Sequence, residues 1–444
     1  MTDQTVALHE LIKLSQAERA QLLLRAEDDL APFIAKVAPI IEAVRTEGDD
    51  ALIRFAAEFD GANIAPGTLQ ASEAEIEEAY SSLDPEFVEV LRYSADNIRR
   101  FHEMQMPKDM EWWTEIRPGV HVGERFTAID SVACYSPRGK GSFPSVTLMS
   151  VIPAIVAGVE KVAVLTPAGP DGKIDSATLV AADIAGCRTV FKAGGAQAVA
   201  AAAFGTETIP RVMKIEGPGS PWLAAAKVVL SNRIDPGMPA GPSESIVFAD
   251  ETANPRIAAL DTIIESEHGD DSSVFLVTTS RELAEAARAA IPDYWAHMSE
   301  ERVGYSSAVL GGNSGGIVLA ENTQAAYDFI NDYAPEHCQI LSAKPEQHLP
   351  HIRNASEILL GEQTPGSVAN YMMGPNCVLP TSGAAKTRSP LGVHNFLKAC
   401  SLGRMTEQGL AETGPKTEVF ATYEGFDAHA NAVGELRRKA FGNE

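Results

Sequence analysis

The sequence predicts an α/β protein: two parallel-sheet units carried between helical segments at either end. Three observations carry that expectation. Apolar, β-branched runs such as 162–166 and 273–278 stand whole instead of alternating with polar residues, the pattern of strands buried on both faces. Helical stretches separate them, so consecutive strands must run parallel with helices packed on the sheet. A Pro- and Gly-rich stretch, 236–242, divides this rhythm in two.

The elements follow in order. Apolar residues recur at helical spacing from Ala31 to Phe59, broken near Gly48, and Ser72 and the 81–84 segment offer helix starts with oxygen caps followed by acids. Residues 1–115 are thus a mainly helical region, expected to pack on the second α/β unit. The first α/β domain covers 116–240, with strands at 162–166, 190–191 and 212–215 and helices at 175–184, after Gln197 and up to Leu230. The second covers 241–384, with strands at 245–249, 273–278, 316–320 and 357–361 and helices at 254–268, 281–290 and 323–333. Residues 385–444 read as a helical arm (395–400, 418–423, 428–441), too small to fold alone.

Composition narrows the function classes. A chain of 444 residues at 45% hydrophobic can bury two to four domain cores. A net charge of −24 with no basic stripe argues against nucleic acid or anionic membrane as a partner. Cys134, Cys187, Cys338, Cys377 and Cys400 are scattered singly, which fits neither a disulfide framework nor a zinc knuckle and points to a reducing compartment. With no cationic, apolar leader after Met1 and no apolar run of about 20 residues, a cytoplasmic protein is expected.

Chemistry is concentrated at a few places. In 331–340, Glu336 and His337 put a carboxylate beside an imidazole, after Pro335 and before an apolar run. Pro335 biases Ala334 toward extended geometry, so the pair is expected in a loop where a helix gives way to a strand. Such loops often carry proton-transfer groups, though Glu-His pairs also decorate solvated turns. The turns at Gly194-Gly195 and Gly217-Pro218-Gly219 suit a phosphate at a helix N-terminus, or are ordinary tight turns; neither matches G-x-G-x-x-G. Glu265 and His268, one helical turn apart, have metal-ligand spacing, but on spacing alone a helix-end histidine favoured by the macrodipole is the better reading. His429, alone in an acidic tail, and the loop 370–381 carry no decisive signal of their own.

Taken together in order, Tyr135-x-Pro137, Gly194-Gly195-Ala196-Gln197, Gly217-Pro218-Gly219, Ala240-Gly241-Pro242-Ser243-Glu244, Glu267-His268-Gly269, Pro335-Glu336-His337, Asn376-x-Val378-Leu379-Pro380-Thr381 and Glu424-Gly425-x-x-Ala428-His429 resemble the histidinol dehydrogenase family, from about residue 35 to 440. The resemblance implies two incomplete Rossmann-like domains and an intertwined homodimer whose C-terminal arm completes the partner's site. It also implies a zinc enzyme that oxidises a primary alcohol through the aldehyde to the carboxylate with NAD+. By matching motif, His337 would be the base taking the alcohol proton and Glu336 would activate water for the second oxidation. Tyr135, Gln197 and Ser220 fall on NAD-contacting positions, Ser243, Cys377 and Glu424 on substrate-contacting ones, and Glu265, His268, Asn370 and His429 on metal ligands.

The departures concern the substrate. Where the family has a glutamine and an aspartate ligand, this chain has Glu265 and Asn370, so the ligand set keeps one carboxylate, one amide and two imidazoles. Cys377 replaces a substrate-contacting histidine and Ser220 an asparagine. Arg138 and Lys140 add cations that would favour an anionic substrate, or else serve the NAD pyrophosphate or face solvent. The expectation is an NAD-dependent dehydrogenase for a small polar primary alcohol other than histidinol. L-histidinol itself and the sulfonated alcohol of sulfopropanediol 3-dehydrogenase, which also resembles the family, are the alternatives. A silent binding protein would have lost the acid/base pair, and Glu336-His337 is intact.

Overall fold

Ile246, Val247, Phe248 and Ala249 are all buried, and alternate members of the run feed opposite faces of one sheet. The strand Glu244–Ala249 is uninterrupted apolar sequence after its first two residues for that reason. The computed structural model, which describes residues 5–25, 30–139 and 141–442, forms two such parallel sheets. The chain divides into two compact units, residues 1–105 with 130–396 and residues 106–129 with 397–444.

Both parallel sheets lie in the first unit. One has four strands in the order Val190–Lys192, Lys161–Thr166, Ser131–Tyr135, Lys214–Glu216. The other has six, ordered Leu8–Glu10, Gly315–Leu319, Ser273–Thr278, Glu244–Ala249, His337–Leu341, Glu357–Leu360. In each the direction of winding reverses once, beside Ser131–Tyr135 and beside Glu244–Ala249, which makes a crevice at the sheet edge.

The N-terminal region corrects one expectation. Helix Ala31–Glu47 packs on the helices Gly195–Phe204 and Pro221–Val229, and Glu73–Ser82 packs on Ser176–Ala185. Val37, Val44, Leu52 and Phe55 share a core with Phe191 and Ile215, so these helices complete the first α/β domain and not the second. Among the described residues of this region, Leu8–Glu10 alone joins the second sheet, as its edge strand, with Leu11 and Leu22 packed in that sheet's core. An amphipathic pattern fixes which face of a helix is buried but not which sheet buries it. Helix Pro85–Gln105 lies between: it packs on Pro144–Val156, while Ser94 and Asn97 donate to the carbonyls of Tyr371 and Met372.

Local readings also shift. Ser131–Tyr135 and helix Glu300–Leu310 were not expected. His337 opens the strand His337–Leu341 and does not sit in the loop before it. Ala334 is not extended: it caps helix Thr323–Tyr333 in the left-handed region (φ 54°), its N–H bonded to Ile330 O. The helix-capping bond overrides the preference of a residue before proline, at a cost of about 1 kcal/mol.

The second unit, taken by itself, is an antiparallel sheet ordered Leu397–Met405, Val120–Ala128, Glu111–Arg117, followed by helices Glu407–Glu424, Asp427–Asn431 and Glu435–Ala440. The expected helix at 395–400 is therefore largely strand, because residues 397–405 find their partner at 120–128, far away in sequence. All five cysteines are free. No helix among the described residues is long and apolar enough to cross a membrane.

Candidate active site

The candidate side chains gather at the starting edge of the six-stranded sheet. Ser243 and Glu244, Glu336 and His337, and Glu357 stand where three adjacent parallel strands begin, with His337 in register with Ser245 on one side and Glu357 on the other. Helix Pro255–Ser266 runs back against the strands, so its carboxyl end returns Glu265 and His268 to the same edge. The loops after Ser131–Tyr135 and Lys214–Glu216, at the finishing edge of the other sheet, close a cavity of about 500 Å³ over this group. Arg138, Ser220, Ser243, Glu265, His268, Glu336, His337, Asn370 and Cys377 all line it.

Glu336 and His337 are each 7% exposed. His337 Nε2 lies 3.8 Å from Glu336 Oε1, and Nδ1 lies 2.8 Å from Glu357 Oε2. Glu336 Oε2 accepts from Glu244 N at 3.0 Å. Burial pushes the Glu336 carboxyl up to about 8, with the His337 charge opposing. Burial pulls His337 down, but Glu265, Glu336 and Glu357 outweigh it and lift the imidazole to about 10. Two groups that exchange protons near or above neutrality therefore sit side by side in a dry corner.

Glu265, His268 and Asn370 converge beside them. Glu265 Oε2 is 2.9 Å from His268 Nδ1, and Glu265 Oε1 accepts from Asn370 Nδ2 at 2.8 Å. Ser243 Oγ also meets His268 Nδ1, at 2.8 Å. Burial raises the Glu265 carboxyl, yet the charges of His268 and His337 and the bonds from His268 and Asn370 prevail and hold it far below the usual range. A buried, ionised carboxylate, a partly exposed imidazole and an amide whose O and N are interchangeable by a flip are a donor set that fits a divalent cation. His429 and Glu424 belong to the second unit, where both are exposed.

On the side expected to take the nucleotide, Tyr135 and Gln197 are buried beneath the glycine turn. Tyr135 Oη accepts from Gly195 N at 3.1 Å, and burial drives its hydroxyl up to about 12. Gly217 has φ +116°, and a side chain there would strike the Tyr135 carbonyl, so glycine is required for the two strand ends to meet. Ser220 is exposed on the cavity at the N-cap of helix Pro221–Val229, whose first amide groups suit a pyrophosphate. The Arg138 guanidinium packs against Gly169 and is felt by Asp60. Lys140, the other cation, lies outside the described residues.

Two carboxylates escaped the sequence reading. Glu357, 8% exposed, holds His337 and also accepts from Cys377 Sγ at 3.8 Å. Glu244 pairs with Arg25 at 2.9 Å, both side chains 4% exposed, and accepts from Ser382 N. Arg25 stacks on the Tyr333 ring, 3.4 Å from its centroid. Their common signal is a charge opening an otherwise apolar strand, Glu357 before Ile358-Leu359-Leu360 and Glu244 before Ile246-Val247-Phe248.

The sequence matches the family described as histidinol dehydrogenase over residues 23–437. A "Histidinol dehydrogenase homolog" of Colwellia psychrerythraea is 56% identical over 99% of this chain and 98% of its own length. A "Histidinol dehydrogenase" of Synechocystis sp. is 45% identical, over 96% of this chain and 98% of its own. The crystal structure of histidinol dehydrogenase from Elizabethkingia anophelis superposes with a TM-score of 0.90 at 31% identity, covering 99% of both chains.

Proposed function

Since the chain belongs to the histidinol dehydrogenase family, a family of NAD-dependent dehydrogenases, we propose that it is a zinc- and NAD+-dependent enzyme oxidising a small polar primary alcohol other than histidinol, through the aldehyde, to the carboxylate. The observation that carries the reading is the buried Glu336–His337 pair standing on one cavity with Glu265, His268 and Asn370.

When bound, NAD+ accepts hydride and zinc holds the substrate's polar end. The rest belongs to the chain. Glu265, His268 and Asn370 would hold the ion, with His429 as fourth ligand from a second subunit; Tyr135, Gln197 and Ser220 would hold the dinucleotide. His337 takes the proton of the alcohol oxygen at Nε2 as the C–H bond breaks, since the carbonyl forms only as that oxygen becomes anionic. Glu336 takes a proton from the water that adds to the aldehyde, and its raised carboxyl keeps a proton-accepting group near neutrality. Ser243 and Glu424 would contact the substrate. The walls from Pro218 to Pro221 and from Ala240 to Ser243 screen the reacting atoms from water.

The non-histidinol part rests on Cys377. Its thiol sits where a basic ring would otherwise meet the substrate, and it donates to Glu357. Burial, then the Glu357 charge, keep it protonated well above the usual thiol range, so it offers substrate no negative charge. The 56% relative is called a homolog and the 45% relative the dehydrogenase, which favours the same reading. A cytoplasmic homodimer fits the second unit, whose Val419, Phe420, Tyr423 and Phe426 are all more than half exposed and gain by being covered.

The test is NADH formation by zinc-loaded protein with L-histidinol, sulfopropanediol and a panel of small amino and hydroxy alcohols. The reading expects turnover of an alcohol other than histidinol, lost in His337→Ala. Efficient histidinol turnover, abolished by the same substitution, overturns the substrate assignment.

A further inference from the structure

A carboxylate has no proton to donate. At 2.8 Å from Glu357 Oε2, His337 Nδ1 is therefore the donor, and when the ring gives up its second proton the lone pair lies at Nε2. That nitrogen points away from Glu357 toward Glu336, 3.8 Å off, and the cavity. We propose that Glu357 is a positioning residue for His337, fixing the ring's orientation and the tautomer in which Nε2 accepts the substrate proton. The proposal rests on the reading of His337 as that acceptor.

Three further observations make Glu357 a built partner and not a chance neighbour. Its backbone is pinned in register with His337, and its N–H donates to Glu336 O at 3.1 Å, so neither residue can slide past the other. Its second oxygen is held by Cys377 Sγ, which leaves the carboxylate one orientation. It is also 8% exposed, so little water competes for the imidazole N–H. A charge at the first position of an apolar strand adds nothing to the sheet ladder, since the register rests on backbone bonds and on Ile358 to Leu360. Carboxylate–imidazole pairs of this kind hold general bases in other enzymes in the orientation and tautomer that their proton transfer needs.

The test compares Glu357→Gln and Glu357→Ala with the wild type in zinc-loaded, ¹⁵N-histidine-labelled protein, the His337 signals being assigned by their absence from His337→Gln. The ring is expected with its proton on Nδ1 in wild type and in Glu357→Gln, whose amide oxygen can still accept, and on Nε2 in Glu357→Ala. With whichever alcohol of the panel the wild type oxidises, kcat is expected to fall ~10²-fold or more in Glu357→Ala and less in Glu357→Gln, with KM unchanged. An unchanged tautomer in Glu357→Ala, or an equal fall in KM-limited binding with kcat intact, overturns the proposal. Should the wild type oxidise no alcohol of the panel, the functional reading fails while the tautomer still decides this one. Should Glu357→Ala not fold, the near-isosteric Glu357→Gln carries the kinetic arm, and wild-type kcat there overturns it.

Discussion

Asn370 donates its amide to Glu265 at 2.8 Å, so the two residues proposed as exchanged metal ligands are each other's partners. One carboxylate and one amide are kept, with their positions exchanged. The pair therefore predicts its own rescue. Glu265→Gln removes the carboxylate and should weaken zinc binding by ~10–100-fold, the range seen when metal-site partners are lost. Adding Asn370→Asp should restore most of it. Competition with a calibrated chelator measures both; a double variant no better than the single shows that the exchange is not compensatory.

The proton inventory gives a second prediction. Burial favours a neutral His337, but Glu265, Glu336 and Glu357 outweigh it and raise the ring to about 10 in the metal-free protein. A raised cationic group holds its proton below that value and loses it only above, so the metal-free ring is charged at neutral pH. A divalent cation at Glu265 and His268 cancels part of that field and must move the midpoint down. Titrating the His337 ring by NMR with and without zinc checks both directions. A metal-free midpoint near the ordinary histidine value contradicts the account.

Much of the fold was legible because both faces of these strands are buried. Ser273–Thr278 and Thr323–Tyr333 lie at the bounds expected of them, since an unbroken apolar run and a clean helical period leave little choice. Leu397–Met405 was not legible: its partner, Val120–Ala128, is far off in sequence, and its own residues mix polar with apolar. Within the site, the residues proposed as ligands and as the acid/base pair came with their motifs. Glu357 did not, because only the register of two parallel strands places it beside His337.

Arg25 and Glu244 give a prediction for stability. Each is 4% exposed, and they support the edge from which Glu244 N binds Glu336. Arg25→Ala leaves a buried carboxylate without its cation and should cost ~3–5 kcal/mol. Urea unfolding measures this. A loss below about 1 kcal/mol would mean that the pair behaves as a surface salt bridge despite its burial.

Glu336 and His337 are proposed to serve successive oxidations at one site. The most direct test counts NADH formed per alcohol consumed, with alcohol limiting and the zinc-loaded protein in excess. The account predicts two for the wild type, one for Glu336→Gln with the aldehyde accumulating, and none for His337→Ala. Two from Glu336→Gln, or one from the wild type, would contradict it.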